Sequence, residues 1–193
     1  MADKKVIFIS CGSAAVDSDG EALAKFMKKT ASVAEFNNSD VLAAVAKIEG
    51  ATTVAPEGIA KLFEEDGSLA VVELGDVDGA ALDAALAQVT EAADRRTLIV
   101  LASNDGLYFA GLGINKKAGK AERSVAAQDV VATLCYVADQ SVPADCTGAV
   151  LYQVLKDPDM KIKELTKLKE ALARMENALQ RDNREPWDKH DCA

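Results

Sequence analysis

The sequence predicts a three-layer α/β/α domain built on a mostly parallel sheet, followed by a C-terminal helical arm. Residues 6–10, 69–74 and 97–102 are short, continuous apolar runs without polar alternation, so each strand needs cover on both faces. Segments of helical periodicity separate these runs, which is the order of a parallel sheet with right-handed crossovers. From Asp159 onward the pattern changes to apolar residues spaced alternately by three and four, as in a heptad seam. The expected division is a core over residues 1–155 and a helix with its tail over 156–193.

Taken in order, Val6, Ile7, Phe8 and Ile9 form a β-branched and aromatic strand that runs into Cys11-Gly12-Ser13. Asp17-Ser18-Asp19 offers a helix start, with Leu23, Phe26 and Met27 as the apolar face. Residues 32–36 alternate like a short strand. Ser39 or Asp40 is placed to cap a helix carrying Leu42, Val45 and Ile48, which Gly50 stops. Pro56 suits a first helical turn, after which Ile59, Leu62 and Phe63 face inward. The second strong strand, 69–74, leads to a helix over 78–93 with Leu82, Leu86 and Val89 inward. The third, 97–102, ends in Ser103-Asn104-Asp105-Gly106, which is turn chemistry. Residues 107–114 look like a strand or hairpin arm, and 116–123 like a polar loop carrying Lys116, Lys117, Lys120 and Arg123. A helix follows over 128–138, then a turn at Val142-Pro143-Ala144-Asp145. The long helix from Asp159 ends at Pro186, leaving Trp187-Asp188-Lys189-His190-Asp191-Cys192 as a tail.

Composition narrows the function. Of the 193 residues, 49% are apolar and 27% charged, as in an ordinary globular protein. Aromatics at 5% do not suit an aromatic-lined carbohydrate or nucleobase site. The formal charge of −9 argues against a duplex-binding surface, which needs clustered Lys and Arg. That charge sits in the core: residues 1–155 carry 13 basic and 22 acidic side chains, and the remainder carries nine of each. Cys11, Cys135, Cys146 and Cys192 lie far apart with no CxxC, which points to a reducing compartment rather than to a zinc ribbon or a disulfide framework. The apolar run before Cys11 is shorter than the roughly 7–15 residues of a signal core, and nothing approaches the ~18 residues of a membrane span. A cytoplasmic protein is expected, with neither nucleic acid nor membrane as partner.

Three stretches taken together resemble the alkaline phosphatase superfamily, which includes sulfatases, nucleotide phosphodiesterases and cofactor-independent phosphoglycerate mutases. The first is Val72-Glu73-Leu74-Gly75-Asp76-Val77-Asp78-Gly79-Ala80, similar to the family's strand that ends in Asp before Gly-His. The second, residues 97–106, is similar to its strand ending in Asp-His-Gly. The third runs from Gly111 through Gln128-Asp129-Val130-Val131-Ala132-Thr133-Leu134 to Val142-Pro143-Ala144-Asp145-Cys146-Thr147-Gly148 and resembles the family's closing helix and turn. Order and spacing agree over about 80 residues, and residues 6–11 take the place of the first metal-bearing strand.

What the resemblance implies is a two-metal ester-hydrolysing centre, and this sequence departs from it at most ligands. Asp76 alone keeps a ligand identity. Cys11 stands where an Asp is expected, Ala80 where a His is expected, and Asn104-Asp105 where Asp-His is expected. The single histidine, His190, lies in the tail. Zinc sites with open positions are usually built with imidazole, so the standard centre is not available. Two readings of Asp76, Asp78, Asn104 and Asp105 stay open. They form a hard oxygen site for Mg²⁺ or Ca²⁺ at the strand ends, with Mn²⁺ or Zn²⁺ as further divalent candidates, or they are loop and cap residues with no resident cofactor. Ser39 sits roughly where the family's nucleophile would be, with helix capping as the plainer role. Cys11 is either a thiol sensor at a strand end, with Cys192 as resolving partner, or a small buried hydrophobe.

The leading expectation is therefore a non-catalytic, alkaline-phosphatase-like binding or assembly module. A phosphate or sulfate ester hydrolase or transferase with a rebuilt metal site is the alternative, and a Cys11 thiol sensor the third. In the leading reading, Leu165, Leu168, Leu172, Met175 and Leu179 on the arm supply contact with a second copy or another protein.

Overall fold

The computed structural model describes residues 4–14 and 20–182. Strand β1 (Lys5–Ala14) lies inside the sheet, parallel to β4 (Leu69–Val77) on one side and to β5 (Thr97–Ser103) on the other. The lack of alternation in its sequence has the expected cause. Val6 and Phe8 enter the core on one face and Ile7 and Ile9 on the other, all four fully buried.

Helices cover both faces. α2 (Val41–Val45) and α5 (Ala127–Ala138) pack with Phe8, Val71 and Val100 on one side. α1 (Glu21–Met27), α3 (Ile59–Glu64) and α4 (Gly79–Ala92) pack with Ile7, Val72 and Leu101 on the other. Beyond β5 the sheet turns antiparallel: β5 and β6 (Gly106–Gly111) form a hairpin, and β2 (Ala31–Phe36) pairs antiparallel to β6. With β3 (Ala51–Thr53) and β7 (Lys120–Val125) at the edges, the order is β3-β4-β1-β5-β6-β2-β7. The result is a mixed α/β fold with a largely parallel sheet flanked by helices.

Several local expectations need correction. Residues 120–125 are not loop but the edge strand β7, parallel to β2. Exposed Lys120, Glu122 and Ser124 alternate with half-buried Ala121 and Arg123, so the strand has the charged pattern of a protected edge and no apolar run to announce it. β3 also went unanticipated, being three residues long. α2 is a single turn or so. Asp40 sits at its N-cap in the left-handed region (φ 62°) and makes no side-chain cap bond. The expected start of α1 at Asp17-Ser18-Asp19 lies outside the described residues, as do Pro186 and the tail from Trp187 to Cys192.

The segment after α5 is tied back to that helix by two of its own residues. Asp129 Oδ1 accepts from the Ala149 amide at 2.7 Å, and Asp129 Oδ2 accepts from the Ala126 amide at 3.2 Å. Buried Thr133 donates to the Asp129 carbonyl at 2.7 Å and accepts from the Leu151 amide at 3.0 Å. Gly148 makes this possible, because a Cβ there would lie 2.1 Å from the Gln128 carbonyl group.

The chain divides into two compact units, residues 1–156 and 157–193. Among described residues the second unit is α6 (Met160–Asp182) with the turn before it, where Lys163 Nζ pairs with Asp157 at 2.8 Å.

Candidate functional site

The carboxyl ends of β1, β4 and β5 meet, as they must in a parallel sheet, and this is where open α/β sheets bind ligands. Pairing of β1 with β4 shifts register after Ser10, so that Cys11 stands beside Gly75. Asp76 then comes over Gly12: a Cβ on Gly12 would lie 2.1 Å from Asp76 Oδ1. From the other side the Asn104 amide donates to the Gly12 carbonyl at 3.0 Å. The structure thus brings Cys11, Gly12, Asp76 and Asn104 to one place.

Asn38 ties this place together. Its Nδ2 donates to the Cys11 carbonyl at 3.1 Å and to Asn104 Oδ1 at 3.1 Å. In the sequence Asn38 merely precedes Ser39 and a helix start. It follows β2, which is separated from β5 by β6, so only the sheet order shows that it reaches Asn104. Apart from that order, no periodicity or motif signals it.

The remaining sequence candidates are used otherwise. Asp78 is the N-cap of α4, its Oδ1 accepting from the Ala81 amide at 2.8 Å. Asp105 occupies the β5–β6 turn, its amide donating to Ser103 Oγ at 3.2 Å. Beside it is a polar hollow of about 350 Å³ lined by Glu35, Asn37, Asn104, Asp105 and Ser124. Ser39 is exposed, and its amide donates to Asn37 Oδ1 at 3.0 Å in a local turn rather than capping α2 through its side chain.

Cys11 is 1% exposed and its thiol approaches the Ala102 carbonyl at 3.6 Å. Burial, aided by the negative charge of Asp105, pushes the thiol up to about 11 from an ordinary 9.0. A thiol held neutral and out of solvent is neither a good nucleophile nor a ready metal ligand. His190 and the resolving candidate Cys192 lie outside the described residues.

Among the described residues no group of three or more His, Cys, Asp or Glu is gathered to hold a metal ion. The side chains that do meet are the Asp76 carboxylate, the amides of Asn38 and Asn104 and the neutral Cys11 thiol, with the Asp105 carboxylate near enough to act on that thiol. Zn²⁺ sites with open positions are usually built with imidazole or thiolate, and this set offers neither in a ready form. No family model matches the chain, and no curated protein is significantly similar to it.

A second candidate surface lies on α6. Ile162, Leu165, Leu168, Leu172, Met175 and Leu179 are 55–65% exposed. Their spacing puts all but Ile162 on one heptad seam, leaving a continuous apolar stripe of the kind that marks an interaction surface. No helix among the described residues is long and apolar enough to cross a membrane, so the stripe is not a span.

Proposed function

We propose that this protein is an assembly module: a trimmed, non-catalytic core of alkaline-phosphatase type that joins copies of itself through α6. The observation that carries the proposal is the exposed seam of Leu165, Leu168, Leu172, Met175 and Leu179. Each buried Leu or Met stabilises a contact by about 1.5–3 kcal/mol. Helices in proteins draw most of their stability from packing an amphipathic face rather than from propensity, so the exposed seam favours a packing partner.

Two features support the alkaline-phosphatase-type part of the proposal. Two of the stretches that resemble the superfamily, together with residues 6–11, end at one site, at the tips of β1, β4 and β5. The closing-segment residues Asp129, Thr133 and Gly148 hold the chain's return onto α5. The amide-tied donor set with its neutral thiol supports the non-catalytic part.

Sedimentation equilibrium on the full chain tests the assembly. The wild type is expected to associate reversibly with rising concentration, and the double variant Leu168→Asp/Leu172→Asp to stay monomeric with an unchanged core. A wild-type chain that remains monomeric throughout would sink the proposal. Elemental analysis of protein purified without chelator tests the non-catalytic part. Near-stoichiometric metal that is lost in Asp76→Ala would point instead to a rebuilt ester-hydrolysing centre.

A further inference from the structure

Resting on that reading of α6 as a self-association surface, we infer that the occupant of the seam is a second copy of α6 lying parallel and in register, with orientation set by Glu164 and Lys169.

With Leu165, Leu172 and Leu179 at heptad position a, and Leu168 and Met175 at d, the flanking positions follow. Glu164, Ala171 and Ala178 fall at g, and Lys169 and Glu176 at e. In a parallel pair the g residue of one helix meets the e residue five places on in the other, and these charges select partner and orientation. Glu164 of each copy then faces Lys169 of the second copy, twice by symmetry. The next g–e contact joins Ala171 to Glu176, so no like charges meet across the seam. Both ends of the proposed pair are free to make it: Glu164 and Lys169 are exposed, and neither has an ion pair with another described residue. Lys163, next to Glu164, is by contrast already engaged with Asp157.

The apolar layers argue for the same arrangement. In parallel register Leu165, Leu168, Leu172, Met175 and Leu179 each meet their own copy, so every exposed seam residue is covered. The antiparallel alternative places Leu168 against Leu179 and Leu172 against Met175, with Lys169 near Glu176 of the second copy. That register leaves Leu165 beyond the partner's apolar residues and gives Glu164 nothing to meet, and the register one heptad away covers Leu165 but leaves Leu179 uncovered and sets Lys169 against Lys169 of the second copy. Full cover of the seam and use of both free charges occur together only in the parallel pair.

Charge exchange on the full chain separates the arrangements, read by sedimentation equilibrium at low ionic strength where such pairs are least screened. Glu164→Lys sets a second positive charge against Lys169 across the seam and is expected to weaken dimerisation about three- to tenfold. Adding Lys169→Glu restores the opposite pair and is expected to return the affinity to near the wild-type value. An unchanged dimer in Glu164→Lys, or a double variant weaker than the single, overturns the parallel register while leaving self-association through α6 standing. A mass of three or more chains overturns the pairwise seam. A wild-type chain monomeric at every concentration overturns both this inference and the reading beneath it.

Discussion

On α4, Leu82, Leu86 and Val89 are fully buried against the sheet; on α6, Leu168, Leu172 and Met175, at the same spacing of four and three, are 59–63% exposed. The spacing fixes only that a helix has an apolar face. What decides the fate of that face is its width and surroundings. α4 surrounds its leucines with Ala80, Ala81, Ala84, Ala85 and Ala87, small residues that let a broad surface settle on the strands. On α6 Glu164, Lys169 and Glu176 stand at positions flanking the stripe, and Lys163, Lys167, Glu170 and Arg174 fill the face turned away from it, which leaves the apolar face as narrow as the seam of a coiled coil. A broad alanine-lined face suits a sheet within the fold. A narrow face edged by charge suits another helix like itself.

The contrast is broken most sharply by truncating a leucine in each helix. Leu86→Ala is expected to cost about 2–5 kcal/mol of core stability, from lost burial plus the cavity left behind. Leu172→Ala should leave the melting of dilute protein unchanged and weaken only association. Equal losses in thermal unfolding would mean that α6 belongs to the core's cooperative unit.

Next in size is an alkaline effect confined to the core. Burial pushes Cys11 and Cys135 up to about 11 from an ordinary 9.0, with Asp105 and Cys146 respectively adding to the shift. Folding therefore favours the neutral thiols. That contribution is whole below pH 9 and is lost as the pH rises toward 11. Denaturant midpoints measured across this window should fall, and fall less in Cys11→Ala than in wild type. Fast alkylation of Cys11 in native protein near pH 8 would contradict the burial argument.

Gly148→Ala forces a methyl onto the Gln128 carbonyl group and is expected to destabilise the core by about 1–3 kcal/mol. The same loss should accompany faster hydrogen exchange at Ala149 and Leu151, whose amides bond to Asp129 and Thr133. The smallest effect belongs to the tie at the strand ends. Asn38→Ala removes two neutral hydrogen bonds and should cost about 1 kcal/mol. A much larger loss would assign the amide a role beyond cross-linking β1 and β5.

The sequence and the structure agree where burial is two-sided or a face is broad. β1, β4, β5, α4 and α5 stand within a few residues of their expected places, because an apolar run or a helical stripe leaves few other folds for the chain. Legibility fails where polarity hides a strand. β7 reads Lys-Ala-Glu-Arg-Ser-Val, and its partner β2 is about 90 residues away in sequence, so nothing local distinguishes it from a loop. The candidate site was half legible. Cys11, Asp76 and Asn104 converge because strand ends in a parallel sheet converge. Asn38 joins them through the antiparallel half of the sheet, whose order is a property of long-range pairing and not of any short stretch of residues. Asp78 caps α4, one of the two roles its sequence left open, and Ser39 sits in a local turn.

Hydrogen exchange followed at increasing protein concentration tests the central claim most directly, since it reads core and α6 in one sample. The account predicts that the amides of β1, β4 and β5 exchange at rates independent of concentration. Those of residues 165–179 should be weakly protected in dilute solution and become progressively protected as copies pair. Concentration-independent exchange along α6 would contradict it, and would mean that the apolar seam is not closed by a second copy of this chain.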